Sequence, residues 1–196
     1  MCSRYYIDED TAEDVLRDLP GLDSRLPAES IHGDVCPSLA APVILSAGDR
    51  LCLTTHRWGY PGPGGRGLVI NARAETVEDR RMFCHGFRYR RIIIPARHFY
   101  EWNQNKEKYT CRHIEANLLY MAGIADLFEE EDRFVILTTQ ANTSMKRIHD
   151  RMPLILETGQ VNAWIRSEAD ARALLRQTPP QLACTADYEQ LSLFDL

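Results

Sequence analysis

The chain has 196 residues, 44% of them hydrophobic and 26% charged, which is ordinary for a globular protein with one sizeable core. Its net charge of −5 argues against a generic nucleic-acid binder. No apolar run approaches the roughly 18 residues that a membrane span needs, and the acidic first ten residues are not a secretion signal. By elimination, a cytoplasmic protein is expected.

The first predicted elements are one helix and two strands. The stretch "DEDTAEDVLRDL" predicts a helix capped by Asp10 or Thr11, with Pro20 and Gly21 ending it. The β-branched stretches "APVILS" and "RLCLTTHRWG" predict strands. The composition of "YPGPGGRG", which follows, is that of a loop.

The middle of the chain predicts mixed structure. "LVINARAET" begins extended, and "ETVEDRRMF" favours a helix. "RRIIIPARHFYEWN" predicts a strand that Pro95 interrupts or places at a sheet edge.

Further strands are predicted at "KYTCRHI", "LLYMAGIADLF" and "RFVILTTQA". "NTSMKRIHDRMPLIL" turns through Asp150 into a last strand, and "SEADARALLRQ" predicts a helix capped by Ser167. Strands outnumber helices and do not alternate with them. This favours an α+β fold with a mainly antiparallel, strongly curved mixed sheet, barrel-like, with peripheral helices. One domain is expected over residues 1–188, with a tail over 189–196.

The six cysteines are scattered and include no C-x-x-C pair, so neither a metal site nor a cofactor is expected. A disulfide framework is disfavoured in a reducing compartment. The five inner cysteines are therefore interpreted as small buried apolar residues. Cys2 fits that interpretation less easily, because chain ends usually lie at the surface.

Positive charge is concentrated in the middle of the chain. Between residues 57 and 97 there are nine arginines against three acidic residues, a local balance of 9 − 3 = +6. Such a band is typical of a phosphate-binding face, and equally of arginines paired with acidic neighbours. The charge pattern alone leaves both interpretations open.

Four polar groups stand beside otherwise apolar segments: Cys2, Asn71 in "VINARAET", Glu101 in "FYEWN" and His149 in "IHDRMP". Taken singly, each has a structural explanation. Asn71 would cap a helix or a turn, Glu101 would face solvent from a strand, and His149 would belong to a hydrogen-bonded turn.

The order of the segments is more informative than any one of them. "MCSRY", "WG", "NARAET", "FYEW" and "IHDRMP" occur in an order that resembles the SRAP family, the SOS-response-associated peptidase proteins that protect abasic sites in single-stranded DNA. The resemblance runs from Cys2 to about Leu156. It implies a largely antiparallel fold and an active site of Cys2, Asn71, Glu101 and His149.

The resemblance also implies a reaction and a DNA-contacting set. Loss of Met1 would give Cys2 a free α-amine beside its thiol, and the two together can close a thiazolidine ring on the abasic-site aldehyde. The DNA contacts carried over are Arg4, Arg73 and Arg151 to phosphates and Trp58 to a base. Two alternatives stay open: a thiol peptidase with Cys2 as nucleophile and His149 as base, and a non-catalytic adaptor.

The chain ends in "QLSLF", which resembles the short peptides with which bacterial replication proteins bind the sliding clamp. Gln190, Leu191, Leu193 and Phe194 would be its contact residues. The alternative is a last edge strand packed on the core. With this peptide the protein would act at the replication fork in the nucleoid. A monomer is expected.

Overall fold

The structure is a computed structural model, and it describes residues 2–26 and 32–186. The strands in these ranges are β1 (Arg4–Ile7), β2 (Asp23–Ser24), β3 (Gly33–Val35), β4 (Ala40–Ala47), β5 (Arg50–Trp58), β6 (Tyr60–Pro61), β7 (Leu68–Val69), β8 (Asn71–Arg73), β9 (Arg91–Ala96), β10 (His98–Trp102), β11 (Lys108–His113), β12 (Leu119–Phe128), β13 (Glu131–Gln140), β14 (Arg151–Pro153), β15 (Ile155–Leu156) and β16 (Leu182–Ala186). The helices are α1 (Thr11–Asp18), α2 (Cys84–Tyr89), α3 (Val161–Arg166) and α4 (Glu168–Leu174), with 3₁₀ turns at Pro63–Gly65, Ala74–Thr76 and Thr158–Gln160.

Five strands close into a barrel. Strand β13 pairs with β12, β12 with β9, β9 with β4 and β4 with β5, all antiparallel. A short parallel pairing of β5 with β13, at Arg57↔Arg133 and Trp58↔Phe134, completes the ring. Closure leaves these strands without open edges. The expected curved, mainly antiparallel sheet is confirmed.

A second sheet of five strands, in the order β16–β11–β10–β1–β3, carries the start of the chain. All of its pairings are antiparallel. Arg4 lies opposite Tyr100, so β1 is held beside the strand that carries Glu101. The sheet therefore brings the first residues next to a segment almost a hundred positions away.

The hydrophobic core has two parts, one on each face of the barrel strands. Strand β9 contributes to both, because Ile92 and Ile94 pack in one cluster and Ile93 in the other. We call the cluster of Ile92 and Ile94 the inner core, which also holds Cys2, and that of Ile93 the outer core, which α1, α3 and α4 cover. A strand buried on both faces needs a continuous apolar run, and "IIIPA" supplies it.

Pro95 lies within β9 opposite Tyr120 of β12. The pairing of β9 with its other neighbour, β4, is recorded at Ile44↔Ile93. Since proline has no N–H to donate, it suits the part of the strand beyond that pairing. The strand continues through Pro95 and ends at Ala96, and β10 begins at His98, so the single predicted strand is two strands that separate at Arg97.

The predicted helix cap is confirmed at α4 and is not found at Asp10 of α1. The Ser167 side chain accepts a hydrogen bond from the Asp170 N–H, as predicted. At α1 the Asp10 side chain makes no cap, and Thr11 instead exchanges hydrogen bonds with Asp8. Hydroxyl and carboxylate groups compete for backbone partners at such ends, so the capping residue is hard to predict.

The helix expected over "ETVEDRRMF" is wrong. A 3₁₀ turn covers Ala74–Thr76, further turns follow, and α2 begins only at Cys84. Ala74 and Val77 are buried in the outer core, which fits the three-residue spacing of a 3₁₀ turn. Burial of these two residues overrides a moderate helix propensity.

A disulfide joins Cys111 and Cys184, which lie directly opposite each other on β11 and β16 with Cα atoms 4.2 Å apart. The expectation that all five inner cysteines are unpaired is therefore wrong for this pair. They are 73 positions apart, and the register of two strands alone brings them together. Strand β16 itself lies beyond the last strand predicted from the sequence.

Candidate active site

Cys2 is fully buried in the inner core, with 0% of its surface exposed, although chain ends usually lie at the surface. Its Sγ lies 3.8 Å from the carbonyl oxygen of Arg4, a weak hydrogen bond. Burial, with the charge of Glu101 acting in the same direction, raises the pKa of the Cys2 thiol to about 12. The sulfur is therefore kept as a protonated thiol.

Asn71 holds the start of the chain. Its Nδ2 donates a 2.9 Å hydrogen bond to the carbonyl oxygen of Cys2. The asparagine lies on β8, which pairs in parallel with β13 through Ile136, so the barrel wall fixes its position. Among the described residues, its buried Oδ1 has no hydrogen-bond donor. The amide thus presents one satisfied donor and one available acceptor beside Cys2.

Glu101 is a buried acid. Only 3% of its surface is exposed, and its Oε1 accepts a 3.2 Å hydrogen bond from the Trp102 N–H. The alternative in which it faces solvent from a strand is therefore wrong. Because its charge acts on the Cys2 thiol, the carboxylate is a proton acceptor within electrostatic reach of the sulfur. We call Cys2, Asn71 and Glu101 the reaction centre.

His149 is half-buried at the end of a loop. Its Nδ1 accepts a 2.9 Å hydrogen bond from the Arg151 N–H, so the neutral ring carries its proton on Nε2. This bond agrees with the turn that the sequence offered as a structural explanation. The ring also lines an open cleft of about 490 Å³ formed by residues 102–105 and 146–150, called the cleft below. His149 can thus be both part of a turn and a donor at the cleft.

Arg4 contacts Trp102, which lines the cleft. The Arg4 guanidinium lies 5.9 Å from the centroid of the Trp102 ring and 3.5 Å from Asp34. An aromatic ring held by a cation beside an open cleft is a suitable surface for a nucleobase to stack on.

Trp58 does not provide such a surface. It is 0% exposed, its Nε1 donates to the Ile70 carbonyl at 2.9 Å, and its ring packs against Tyr5 and Phe134. The predicted base contact of Trp58 is corrected accordingly, since both ring faces lie in the core. Sequence reasoning missed Trp102, although it stands in the quoted "FYEW" motif.

Arg151 is bound within the protein. It makes two hydrogen bonds of 2.6 and 2.9 Å to the two carboxylate oxygens of Glu75, and 16% of its side chain is exposed. The Arg151 hydrogen bonds hold the pKa of Glu75 below its ordinary value. This pair joins the "NARAET" and "HDRMP" motifs, so Arg151 has a structural partner besides any phosphate.

Arg73 is exposed and lines a second depression of about 370 Å³, called the groove below. The groove is formed by Arg73, Gln140, Ala141, Lys146, Asp150 and Arg151. Lys146 and Asp150 belong to both the groove and the cleft, which makes the two depressions neighbours. Lys146 was missed by the sequence analysis, although "MKRIHD" places it just before His149.

Four of the nine arginines in the band, Arg57, Arg90, Arg91 and Arg97, bind carboxylates or carbonyls within the protein. The Arg91 Nε donates to the Trp164 carbonyl at 2.6 Å, and Arg97 pairs with Asp8 and Asp14. For these residues the interpretation as internally paired arginines is the correct one. The band is therefore not one phosphate-binding face, and Arg73 is its member that lines the groove.

Two further findings concern metal ions and membranes. Within the described ranges, no group of three or more His, Cys, Asp or Glu side chains is placed to hold a metal ion. The helices of the same ranges are all too short or too polar to cross a bilayer. The predicted clamp-binding residues, Gln190 to Phe194, lie outside the described residues.

The fold is shared with solved structures. A crystal structure from Bordetella bronchiseptica superposes with a TM-score of 0.80 over 95% of this chain and 100% of that one, at 23% identity. One from Bacteroides thetaiotaomicron gives a TM-score of 0.79 over 96% and 93%, at 22% identity. These likenesses establish the architecture and no more.

Residues 1–189 match the family described as SOS response associated peptidase (SRAP), and the chain belongs to that family. The abasic site processing protein YedK of Escherichia coli is 31% identical over 169 residues, which cover 82% of this chain and 74% of YedK. The abasic site processing protein YoqW of Bacillus subtilis is 30% identical over 181 residues, or 84% and 80% of the two chains. The family inferred from the motifs is confirmed.

Proposed function

We propose that this protein captures abasic sites in single-stranded DNA by a covalent bond to Cys2 once Met1 has been removed. The observation that carries the proposal is the environment of Cys2, whose carbonyl is held by Asn71 while a buried Glu101 acts on its thiol. Its relatives are named abasic site processing proteins, which supports a function at abasic sites.

The α-amine reacts first. A free α-amine has an ordinary pKa near ~8, whereas burial raises the pKa of the Cys2 thiol to about 12. At neutral pH a useful fraction of the amine is therefore uncharged while the thiol is protonated. The amine attacks the C1′ aldehyde of the ring-opened sugar and gives a carbinolamine, which loses water to form an imine.

The thiol closes the ring. Its sulfur adds to the imine carbon, the electron pair of the C=N bond moves to nitrogen, and the thiol proton passes to the Glu101 carboxylate, which returns it to nitrogen. Because both nucleophiles belong to one residue, this step is intramolecular and benefits from a high effective molarity. The product is a thiazolidine.

The other polar groups position the reactants. The Asn71 amide fixes Cys2 through its carbonyl, and its available Oδ1 would accept a hydrogen bond from the α-amine. The Nε2–H of His149 would donate to the sugar oxygen during ring opening or to a flanking phosphate. Arg4, Arg73 and Lys146 would hold phosphates, and Trp102 a base.

The raised thiol pKa also separates this function from the alternative. A thiol peptidase needs a thiolate or a base that readily forms one, and burial opposes that charge at Cys2. An amine-first reaction does not have this requirement. The experiment below tests the peptidase alternative directly, with hydrolysis of a peptide as its outcome.

The test is to incubate the protein, with loss of Met1 verified by mass spectrometry, with single-stranded DNA carrying one abasic site. A denaturing gel should show a shifted band that Cys2→Ala abolishes. Cys52→Ala, which removes another buried free thiol, should leave the band unchanged. Cleavage of peptides without an adduct would favour the peptidase, and binding indifferent to Cys2→Ala would favour the adaptor.

The tail carries a separate proposal. Gln190, Leu191, Leu193 and Phe194 would bind a bacterial sliding clamp and so bring the protein to replication forks. The test is a pull-down of the clamp with the full chain and with a protein lacking residues 190–196. Equal recovery of the clamp by the two proteins would contradict this proposal.

A further inference from the structure

The feature that the mechanism above leaves unused is the hydroxyl of Tyr5. Tyr5 is fully buried, and among the described residues its OH makes no hydrogen bond. An unpaired buried hydroxyl lowers stability, and phenylalanine would fill the same space without that effect. Near a reacting group, such a hydroxyl is able to donate a hydrogen bond to charge that develops during the reaction.

Tyr5 lies where it can act on Cys2. It is on β1, which begins two residues after Cys2, and both residues belong to the inner core. It pairs with Phe99 of β10, the strand that carries Glu101, and its ring lies 5.2 Å from that of Trp58. Burial, followed by the charge of Cys2, raises the pKa of Tyr5, so its OH stays protonated and within electrostatic reach of the sulfur.

We propose that Tyr5 is a positioning residue of the reaction centre, whose hydroxyl donates a hydrogen bond to the Cys2 sulfur as that sulfur gives up its proton. The inference rests on the proposed function. At present the recorded hydrogen bond of Sγ is to the Arg4 carbonyl, which is an acceptor and would repel a thiolate. The site needs a donor for the sulfur during ring closure, and Tyr5 offers one.

The proton balance of the step is unchanged. The S–C bond forms, the C=N electron pair moves to nitrogen, and the Cys2 proton goes to Glu101. Tyr5 keeps its own proton throughout and only stabilises negative charge on sulfur. Its effect is therefore on the pH at which the sulfur becomes reactive, which a purely structural residue would not alter.

Tyr60 supplies a matched control. It is also fully buried, and its hydroxyl also has no partner among the described residues. Tyr60, however, packs in the outer core, against Phe83 and Phe128. Tyr5→Phe and Tyr60→Phe thus remove the same kind of group from two sites, of which one contains Cys2.

The experiment measures thiazolidine formation on the processed N-terminus with glycolaldehyde, a small aldehyde, by mass spectrometry across pH. Both variants should melt at or above the wild-type temperature. Tyr5→Phe should shift the pH profile of ring closure upward by about one pH unit. At a fixed pH, this shift makes ring closure about tenfold slower than in the wild type. Tyr60→Phe should match the wild type.

A Tyr5→Phe profile identical to those of the wild type and Tyr60→Phe would overturn the inference. A slowing of closure in Tyr5→Phe that came with a lower melting temperature would also overturn the inference, since that indicates a structural effect. Because glycolaldehyde needs no DNA contact, a failure of this inference can be distinguished from a failure of the proposed DNA function. Ring closure with glycolaldehyde but no adduct with abasic DNA would reject the DNA function alone.

Discussion

The reaction centre and the groove beside it are built from different kinds of contact. Around Cys2 the polar groups are buried and come from three distant segments, held in register by β1, β8 and β10. In the groove, Arg73 is exposed and Arg151 is paired with Glu75. Substitutions at the reaction centre should therefore alter chemistry, whereas those in the groove should alter binding and its dependence on salt.

The largest expected effect follows from removing the buried acid. Glu101→Gln should slow crosslinking by about 10²- to 10⁴-fold, the usual contribution of a general acid–base group. Because the charge of Glu101 raises the pKa of the Cys2 thiol, the same variant should lower that pKa. Single-turnover crosslinking and the pH dependence of Cys2 alkylation measure the two effects.

The opposite directions of these two effects are the informative part. Glu115→Gln, a substitution at an exposed acid after β11, should change neither. If Glu101→Gln made the thiol more reactive and crosslinking faster together, Glu101 would act only through its charge and not as a proton carrier.

A smaller effect is expected at the Glu75–Arg151 pair. The pKa of Glu75 is lowered in the folded protein, so its stabilisation is present above the unfolded pKa of about 4.3 and is lost as pH falls through the lower folded value. Since Glu75 is 41% exposed, we expect about 0.5–1 kcal/mol. Urea unfolding from pH 7 to pH 3 should show a steeper loss in the wild type than in Glu75→Gln.

Equal slopes for the two proteins in that series would mean that solvent screens the pair completely. Glu78→Gln is a suitable comparison, because Glu78 pairs with Arg172, which is 46% exposed, on α4. Its removal should have less effect than that of Glu75.

The smallest effect is expected for single phosphate contacts. Arg73→Ala and Lys146→Ala should each lower the slope of log affinity against log salt by about 0.7 for single-stranded DNA, with crosslinking at saturating DNA unchanged. Arg50→Ala, at a turn where Arg50 pairs with Asp23, should leave the slope unaltered. The affinities are measured by fluorescence anisotropy with a non-reactive DNA. Equal slopes of log affinity against log salt for all three variants would contradict the prediction.

The sequence allowed the fold class, the family and the identity of the candidate reactive residues to be predicted. Cys2, Asn71 and Glu101 were reached through the order of their motifs, not through any local pattern. The burial of Glu101 was not predictable, since alternation with Tyr100 and Trp102 gives no sign of which face is covered. That Trp58 lies in the core while Trp102 lines the cleft was not predictable for the same reason.

Contacts between residues far apart in the chain could not be predicted from the sequence. The pairing of Arg151 with Glu75 spans 76 positions, and the disulfide spans 73. Both depend on registers that only the folded sheet defines. The arginine clustering could not decide between phosphate binding and internal pairing for the same reason, because the internal carboxylates and carbonyls come from distant segments.

The burial of Cys2 has a consequence for how long the protein stays usable. A molecule that reacts once is wasted if an oxidant or a metabolic electrophile consumes its sulfur beforehand. Because burial raises the pKa of the Cys2 thiol to about 12, the thiol stays protonated at pH 7, and the thiolate is the form that such agents attack. Under the proposed function, the inner core therefore keeps the sulfur unreactive toward such agents until the neighbouring amine has captured an aldehyde.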